Sequence, residues 1–216
     1  MGCVEGREHG QVMHGRGAEV CGVFGGRALP VKRAVDVVGA GLGLAALWPV
    51  ALALMLVIRL DSKGPAIFTQ VRVGRDERPF RCHKLRSMHV SAPERPSHES
   101  AASDVTRVGR FLRRSKLDEL PQLVNVLKGE MSLVGPRPCL PTQTRLIAAR
   151  RELGVNRARP GITGLAQVHG IDMSEPERLA RTDAAYLAKT SLLGDLILVL
   201  ASLPGGRRLR PDVQNP

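Results

Sequence analysis

Residues 37–58 carry no charge, whereas Lys32, Arg33 and Asp36 precede that run and Arg59, Asp61 and Lys63 follow it. About 20 apolar residues cross a bilayer as a helix, so the pattern predicts a membrane-embedded helix over 31–60. The run exceeds a signal-peptide core of about 7 to 15 residues, and cleavage is not expected. Pro49, near its middle, lacks an N–H and its ring clashes with the preceding turn, which kinks or breaks a helix; Gly39, Gly41 and Gly43 soften the first half. Basic residues flank both ends, and the positive-inside rule draws both toward the cytoplasm. A re-entrant helix that enters, breaks at Pro49 and returns to the same face satisfies that pull. A kinked spanning helix is the alternative, since membrane helices tolerate proline. A buried core helix of a soluble protein is a third.

No second run of that length follows, so 61–205 is expected to form a soluble, basic domain against the membrane. Residues 65–74 alternate around β-formers and 79–85 offer a second strand, separated by a Gly-Arg-Asp turn, which predicts a small β-hairpin. A Ser- and Pro-rich loop is expected at 91–103 and a short basic helix at 105–114. Over 119–128, Leu120, Leu123, Val124 and Leu127 recur at helical spacing and Gly129 stands where a helix ends. Further helices are predicted at 142–153 and 175–189. The apolar run 192–203 carries Asp195 and is too short to cross a bilayer, so it reads as an interfacial or buried helix. Residues 1–30, rich in glycine and without periodicity, read as a disordered extension, and 206–216 as a basic tail suited to anionic lipid. The fold class is α+β: a membrane-embedded, re-entrant helix followed by a mainly helical domain with a small hairpin.

The chain has 216 residues, the length of one domain, and 32 Lys plus Arg against 20 Asp plus Glu give a net charge of +12. Such a balance seeks phosphate, in nucleic acid, lipid headgroups or nucleotides, and excludes a cationic substrate. Aromatics are only 3%, too few for base-stacking platforms, so nucleic acid is not an expected partner. Cys3, Cys21, Cys82 and Cys139 contain no CxxC pair, which points to a reducing, cytoplasm-facing location. Walker, GxGxxG, HExxH and GxSxG patterns are absent, and the six histidines form no spaced pair that suggests a metal.

Asp118 and Glu119 are the most informative pair. Pro121 is tolerated only in a first helical turn, which puts both carboxylates at a helix N-terminus. There, Asp as a cap and Glu facing the helix dipole would be a purely structural reading, worth about 1 kcal/mol. The surrounding Arg107, Arg110, Arg113, Arg114 and Lys116 add a chemical one: a carboxylate among cations stays ionised and can hold a divalent metal or attack phosphorus. Arg137 lies between two prolines that stiffen its backbone, which suits phosphate clamping; an exposed turn arginine is the alternative. Arg159 precedes a Pro-Gly turn, and Lys84 and Arg86 alternate along the second strand; all three are candidate phosphate contacts, although a solvated strand face would explain the last two equally well.

The ordered blocks Lys32-Arg33-x-x-Asp36, Gly64-Pro65-x-x-Phe68-x-Gln70-x-Arg72-x-Gly74, Lys84-Leu85-Arg86-Ser87-Met88, Leu117-Asp-Glu-Leu-Pro-Gln-Leu123-x-Asn125, Gly135-Pro-Arg-Pro138 and Arg159-Pro-Gly-x-Thr-Gly164 resemble the bacterial sugar transferases. These are monotopic polyprenyl-phosphate phosphoglycosyl transferases that initiate exopolysaccharide and other cell-surface glycans. The resemblance covers roughly 31–204 and implies transfer of a sugar-1-phosphate from a UDP-sugar to undecaprenyl phosphate at the cytoplasmic side of the plasma (inner) membrane. It further implies Asp118 as the nucleophile that becomes loaded with phosphosugar, Glu119 as its partner in metal or proton handling, and Mg²⁺ as cofactor held by Asp118 and Glu119. Phosphate contacts would fall to Lys84, Arg86, Arg113, Arg137 and Arg159, and the membrane-helix break to Pro49. Trp48, Leu85 and the His169-Gly170-Ile171 segment depart from the common family residues. Expected partners are the UDP-sugar, polyprenyl phosphate and membrane lipid, with a homo-oligomer left open. A membrane-tethered basic protein that binds RNA or anionic lipid without catalysis is the alternative function.

Overall fold

In the computed structural model, residues 28–92 and 102–203 are described. The expectations for the N-terminal extension, the centre of the Ser/Pro-rich loop and the basic tail therefore lie outside the described residues. Helix α1 (Ala28–Asp61) is 34 residues long and continues through Pro49, so the break expected at that proline is not found: the backbone is helical on both sides of it, as membrane helices tolerate. Only 6% of its apolar stretch is buried, which argues against the soluble-core reading: such a surface suits lipid.

Both ends of α1 pack on the same globular domain. Near the start, buried Asp36 accepts hydrogen bonds from Ser132 Oγ (2.8 Å) and Leu133 N (3.0 Å). The glycines do more than soften this half. A Cβ at Gly39 would lie 2.8 Å from Leu133 Cδ1, and one at Gly43 would lie 3.3 Å from Leu123 Cδ1, so their bareness lets the helix approach the domain. Gly41 faces open space. Near the end, Ile58 joins Ala66, Leu85 and Leu112 in a buried cluster flanked by Leu54 and Met55. Between these contacts, residues 45–50 are exposed, Trp48 and Pro49 among them.

The predicted hairpin is present. β1 (Ile67–Val73) pairs antiparallel with β2 (Pro79–Leu85), Phe68 opposite Lys84 and Gln70 opposite Cys82. Helix α2 (Arg107–Ser115) starts at Thr106, whose side chain accepts from Gly109 N at 2.9 Å, and packs so closely on residue 87 that a Cβ at Gly109 would lie 1.9 Å from Ser87 O. The helix expected over 119–128 is split. Leu117–Glu119 forms a separate 3₁₀ turn entered through Lys116 in a left-handed conformation, and helix α3 (Gln122–Lys128) begins only after Pro121. Pro121 fits either arrangement, because its missing N–H costs nothing at a helix start.

A second sheet has no counterpart in the sequence reading: β3 (Ser132–Val134) runs parallel to β4 (Gly161–Thr163). Helices α5 (Leu165–Val168) and α6 (Pro176–Ala188) pack on it through Val168 and Tyr186, which cluster with Val134, and α4 (Thr144–Glu152) packs on α6; α4 and α6 lie close to the predicted spans. Helix α7 (Leu192–Ser202) buries Asp195 and Leu198 and exposes Leu192, Leu193, Leu196, Ile197 and Leu200. The buried Asp195 pairs with Lys32 of α1 and accepts from Tyr186 Oη at 2.6 Å, so α7 is tied to the base of the membrane helix with its apolar face outward.

Candidate active site

The face of the hairpin that carries Phe68, Gln70, Arg72, Cys82 and Lys84 forms one wall of a cavity of about 390 Å³. Arg113 from α2, the 3₁₀ turn with Asp118 and Glu119, and Arg137 close the other side. The structure thus brings together Lys84, Arg86, Arg113, Arg137 and both carboxylates from four separate segments. Arg159 lies outside this lining: its Nε donates to Gly129 O at 2.9 Å, so it caps the C-terminus of α3, as Arg33 does through Val126 O and Leu127 O. Arg86 borders the cavity but spends its guanidinium on the end of α1, donating to Lys63 O, Ser62 O (2.7 Å) and Ser62 Oγ (3.0 Å). Its buried Nε has no partner among the described residues.

The two carboxylates differ in environment. Glu119 Oε1 accepts from Lys84 Nζ at 3.0 Å and lies 3.9 Å from an Arg137 terminal nitrogen. Burial alone would push this carboxyl up, but Lys84, Arg137 and Lys116 together hold it at about 2. Glu119 is therefore ionised at any physiological pH. Asp118 is buried at the rim of the cavity, and no described residue donates a hydrogen bond to its carboxylate. Burial and the neighbouring Glu119 charge push its pKa up, against the pull of Lys84, Lys116 and Arg113. An under-solvated, unpaired carboxylate facing a cationic cavity is the more basic and more nucleophilic of the two.

Among the described residues no group of three His, Cys, Asp or Glu could hold a metal alone. The dyad nonetheless fits Mg²⁺, which commonly takes one or two carboxylates and completes its shell with water and substrate phosphates. Asp118 has its carboxylate free of hydrogen bonds, and Glu119 is ionised beside it. Both described cysteines are free and buried, and burial pushes the Cys82 thiol up, so this cavity residue is not a thiolate nucleophile.

The Pro-Arg-Pro loop shows how the fold aims a guanidinium. Four consecutive carbonyls are captured: Pro136 O by Gly161 N (2.9 Å), Arg137 O by Arg150 (2.9 Å), Pro138 O by Arg72 (3.2 Å) and Cys139 O by Val73 N (2.9 Å). Arg150 is buried and doubly bonded to buried Asp183 Oδ2 at 3.0 and 2.7 Å. Sequence reasoning missed Arg72, Arg150 and Asp183. Arg72 stood in a recognisable block, but nothing local distinguished Arg150 or Asp183 from solvated helix charges. Asn125 was also missed; fully buried, it donates to Arg81 O and Glu130 and accepts from His83 N, and so stitches α3 to β2.

Comparison with known proteins adds to this geometry. The family model described as bacterial sugar transferase matches residues 27–205. A UDP-glucose:undecaprenyl-phosphate glucose-1-phosphate transferase of Caulobacter vibrioides is 44% identical over 182 residues, covering 80% of this chain and 68% of that protein. An undecaprenyl-phosphate glucose phosphotransferase of Komagataeibacter xylinus is 45% identical, covering 70% and 30%. A UDP-N-acetylgalactosamine-undecaprenyl-phosphate N-acetylgalactosaminephosphotransferase of Aeromonas hydrophila is 37% identical, covering 80% and 43%. The chain spans about two thirds of the first relative and less than half of the other two.

Proposed function

Because the chain belongs to the bacterial sugar transferase family, we propose that it moves a sugar-1-phosphate from a UDP-sugar to undecaprenyl phosphate through an Asp118-bound intermediate. The observation that carries this reading is the Asp118 carboxylate, unpaired and facing a cavity lined by Lys84, Arg113, Lys116 and Arg137. In the first half-reaction an Asp118 oxygen attacks the phosphorus that bears the sugar. The bond from that phosphorus to the bridging oxygen breaks, and UMP leaves with the electron pair. In the second, an oxygen of the lipid phosphate attacks the same phosphorus and the bond to Asp118 breaks, which restores the carboxylate without a net proton change. Lys84, Arg113 and Arg137 hold the phosphates and reduce repulsion between an anionic nucleophile and an anionic centre. Asp118 and Glu119 are the residues that would hold Mg²⁺, whose charge further offsets the diphosphate.

The membrane geometry follows from α1. A spanning helix would put its far end about 30 Å from its near end, across the bilayer. The basic residues at both ends, Lys32 and Arg33 before the uncharged stretch and Arg59 and Lys63 after it, favour a re-entrant helix with the domain on the cytoplasmic side, and the burial of Asp36 and Ile58 against one domain is compatible with it. The test is a UMP-release assay on the protein in lipid nanodiscs with Mg²⁺, undecaprenyl phosphate and a panel of UDP-sugars. UMP and lipid-linked sugar phosphate are expected with at least one donor; no UMP from any of them would overturn the assignment.

A further inference from the structure

We propose that the outer end of the cavity, formed by Pro65, Ile67, Phe68, Met88 and Val90, is the seat of the first isoprene units of the lipid acceptor. This assignment rests on the transferase reading and divides the cavity between its two substrates. Along the hairpin the lining changes character. The inner end carries Arg72, Arg137 and Glu119, whereas the outer end is apolar and open, with Ile67 43%, Phe68 38% and Val90 65% exposed. Apolar surface left in water costs about 25 cal/mol per Å², and here it sits on a chain of net charge +12. It marks a binding surface.

The position of this lip selects its occupant. Pro65 lies four residues beyond the end of α1, and Gly64 makes the turn with φ +121. A Cβ at Gly64 would lie 2.7 Å from Val90 Cγ2, so Val90 rests on the exit of the membrane helix. Arg86 fastens the same corner by donating to the carbonyls of Ser62 and Lys63, just past the end of α1. The final turns of α1 expose Leu56, Val57 and Leu60. Exposed apolar residues thus lie on both sides of the polar helix exit at 59–64, on the last turns of α1 and on the lip, which places the lip where an isoprenoid chain leaves the lipid. Its phosphate then meets Arg113, whose Nε is held by Ser87 Oγ at 3.0 Å and whose terminal nitrogens have no acceptor among the described residues. The nucleotide diphosphate is left the polar inner end, beside Arg72 and Arg137, with Lys84, opposite Phe68, between the two substrates.

The experiment is photolabelling of the full chain in nanodiscs with farnesyl phosphate that carries a diazirine in its first isoprene units, followed by peptide mapping. Label is expected on peptides holding Ile67 and Phe68 or Met88 and Val90, suppressed by excess undecaprenyl phosphate and not by UDP-glucose. Val90→Asp and Phe68→Ser should each lower the yield at least about fivefold, about 1 kcal/mol of lost apolar contact, with an unchanged melting temperature. Label confined to other segments would overturn the proposal. So would label at the lip that UDP-glucose displaces and undecaprenyl phosphate does not, which would make the lip a nucleoside subsite. Labelling reports occupancy rather than turnover, so a chain that labels at the lip yet releases no UMP would refute the transferase reading alone.

Discussion

Asp118 and Glu119 are adjacent in the chain and opposite in titration, and the difference sets what each can do. Burial raises the Asp118 pKa, so the folded chain binds that proton more tightly than the unfolded one. Ionising Asp118 therefore costs stability, and the cost grows as pH rises through its folded pKa. Asp118→Asn should abolish UMP release while leaving the melting temperature at neutral pH equal to or above that of the parent, as read by thermal scan. The donor half-reaction should lose rate as pH falls, with an acid limb above the ordinary aspartate value of 3.8. Glu119 works in the other direction. Its pKa of about 2 means that its ionised form favours the fold above the ordinary 4.5, and that contribution is lost as pH drops from 4.5 toward 2. The dyad was legible in the sequence because charge clustered around it and its block resembled a family. Its placement in a separate turn was not: Lys116 enters the left-handed region without the glycine that usually announces it.

At the scale of elements, close packing of short pieces aims the site. Gly109→Ala would drive a Cβ into Ser87 O, separating α2 from the strand exit and displacing Arg113. A loss of at least about 2 kcal/mol in denaturant unfolding is expected, together with a raised KM. The Arg150–Asp183 pair supports the Arg137 loop from α4 and α6. Arg150→Gln leaves a buried carboxylate without its cation and should cost about 3–5 kcal/mol. The double variant Arg150→Met with Asp183→Leu should regain most of that stability, yet keep a lowered kcat because Arg137 O has lost its donor. The hairpin, α2, α4, α6 and α7 were legible from periodicity and turn residues. The β3–β4 pair was not, because three-residue strands carry too little alternation and their partners are far apart in sequence.

For the whole molecule, the governing feature is a long apolar helix, α1, that packs on the domain near both of its ends. The uncharged run and Pro49 were readable in the sequence, and the contacts of Asp36 and Ile58 with one domain were not, because they depend on partners about a hundred and about thirty residues away. Pro30→Cys and Ser62→Cys should both react with a membrane-impermeant maleimide from the cytoplasmic side; reaction from opposite sides would contradict re-entrance. The tie between Lys32 on α1 and Asp195 on α7 sets the exposed leucines of α7 beside the same membrane surface.

The most direct test of the central claim is intact-mass spectrometry of the purified protein given UDP-sugar and Mg²⁺ without lipid acceptor. A mass gain of one sugar phosphate, mapped to the peptide holding Asp118 and discharged on addition of undecaprenyl phosphate, is the expected result. Lipid-linked product formed at full rate by a protein that never carries this adduct would contradict the account.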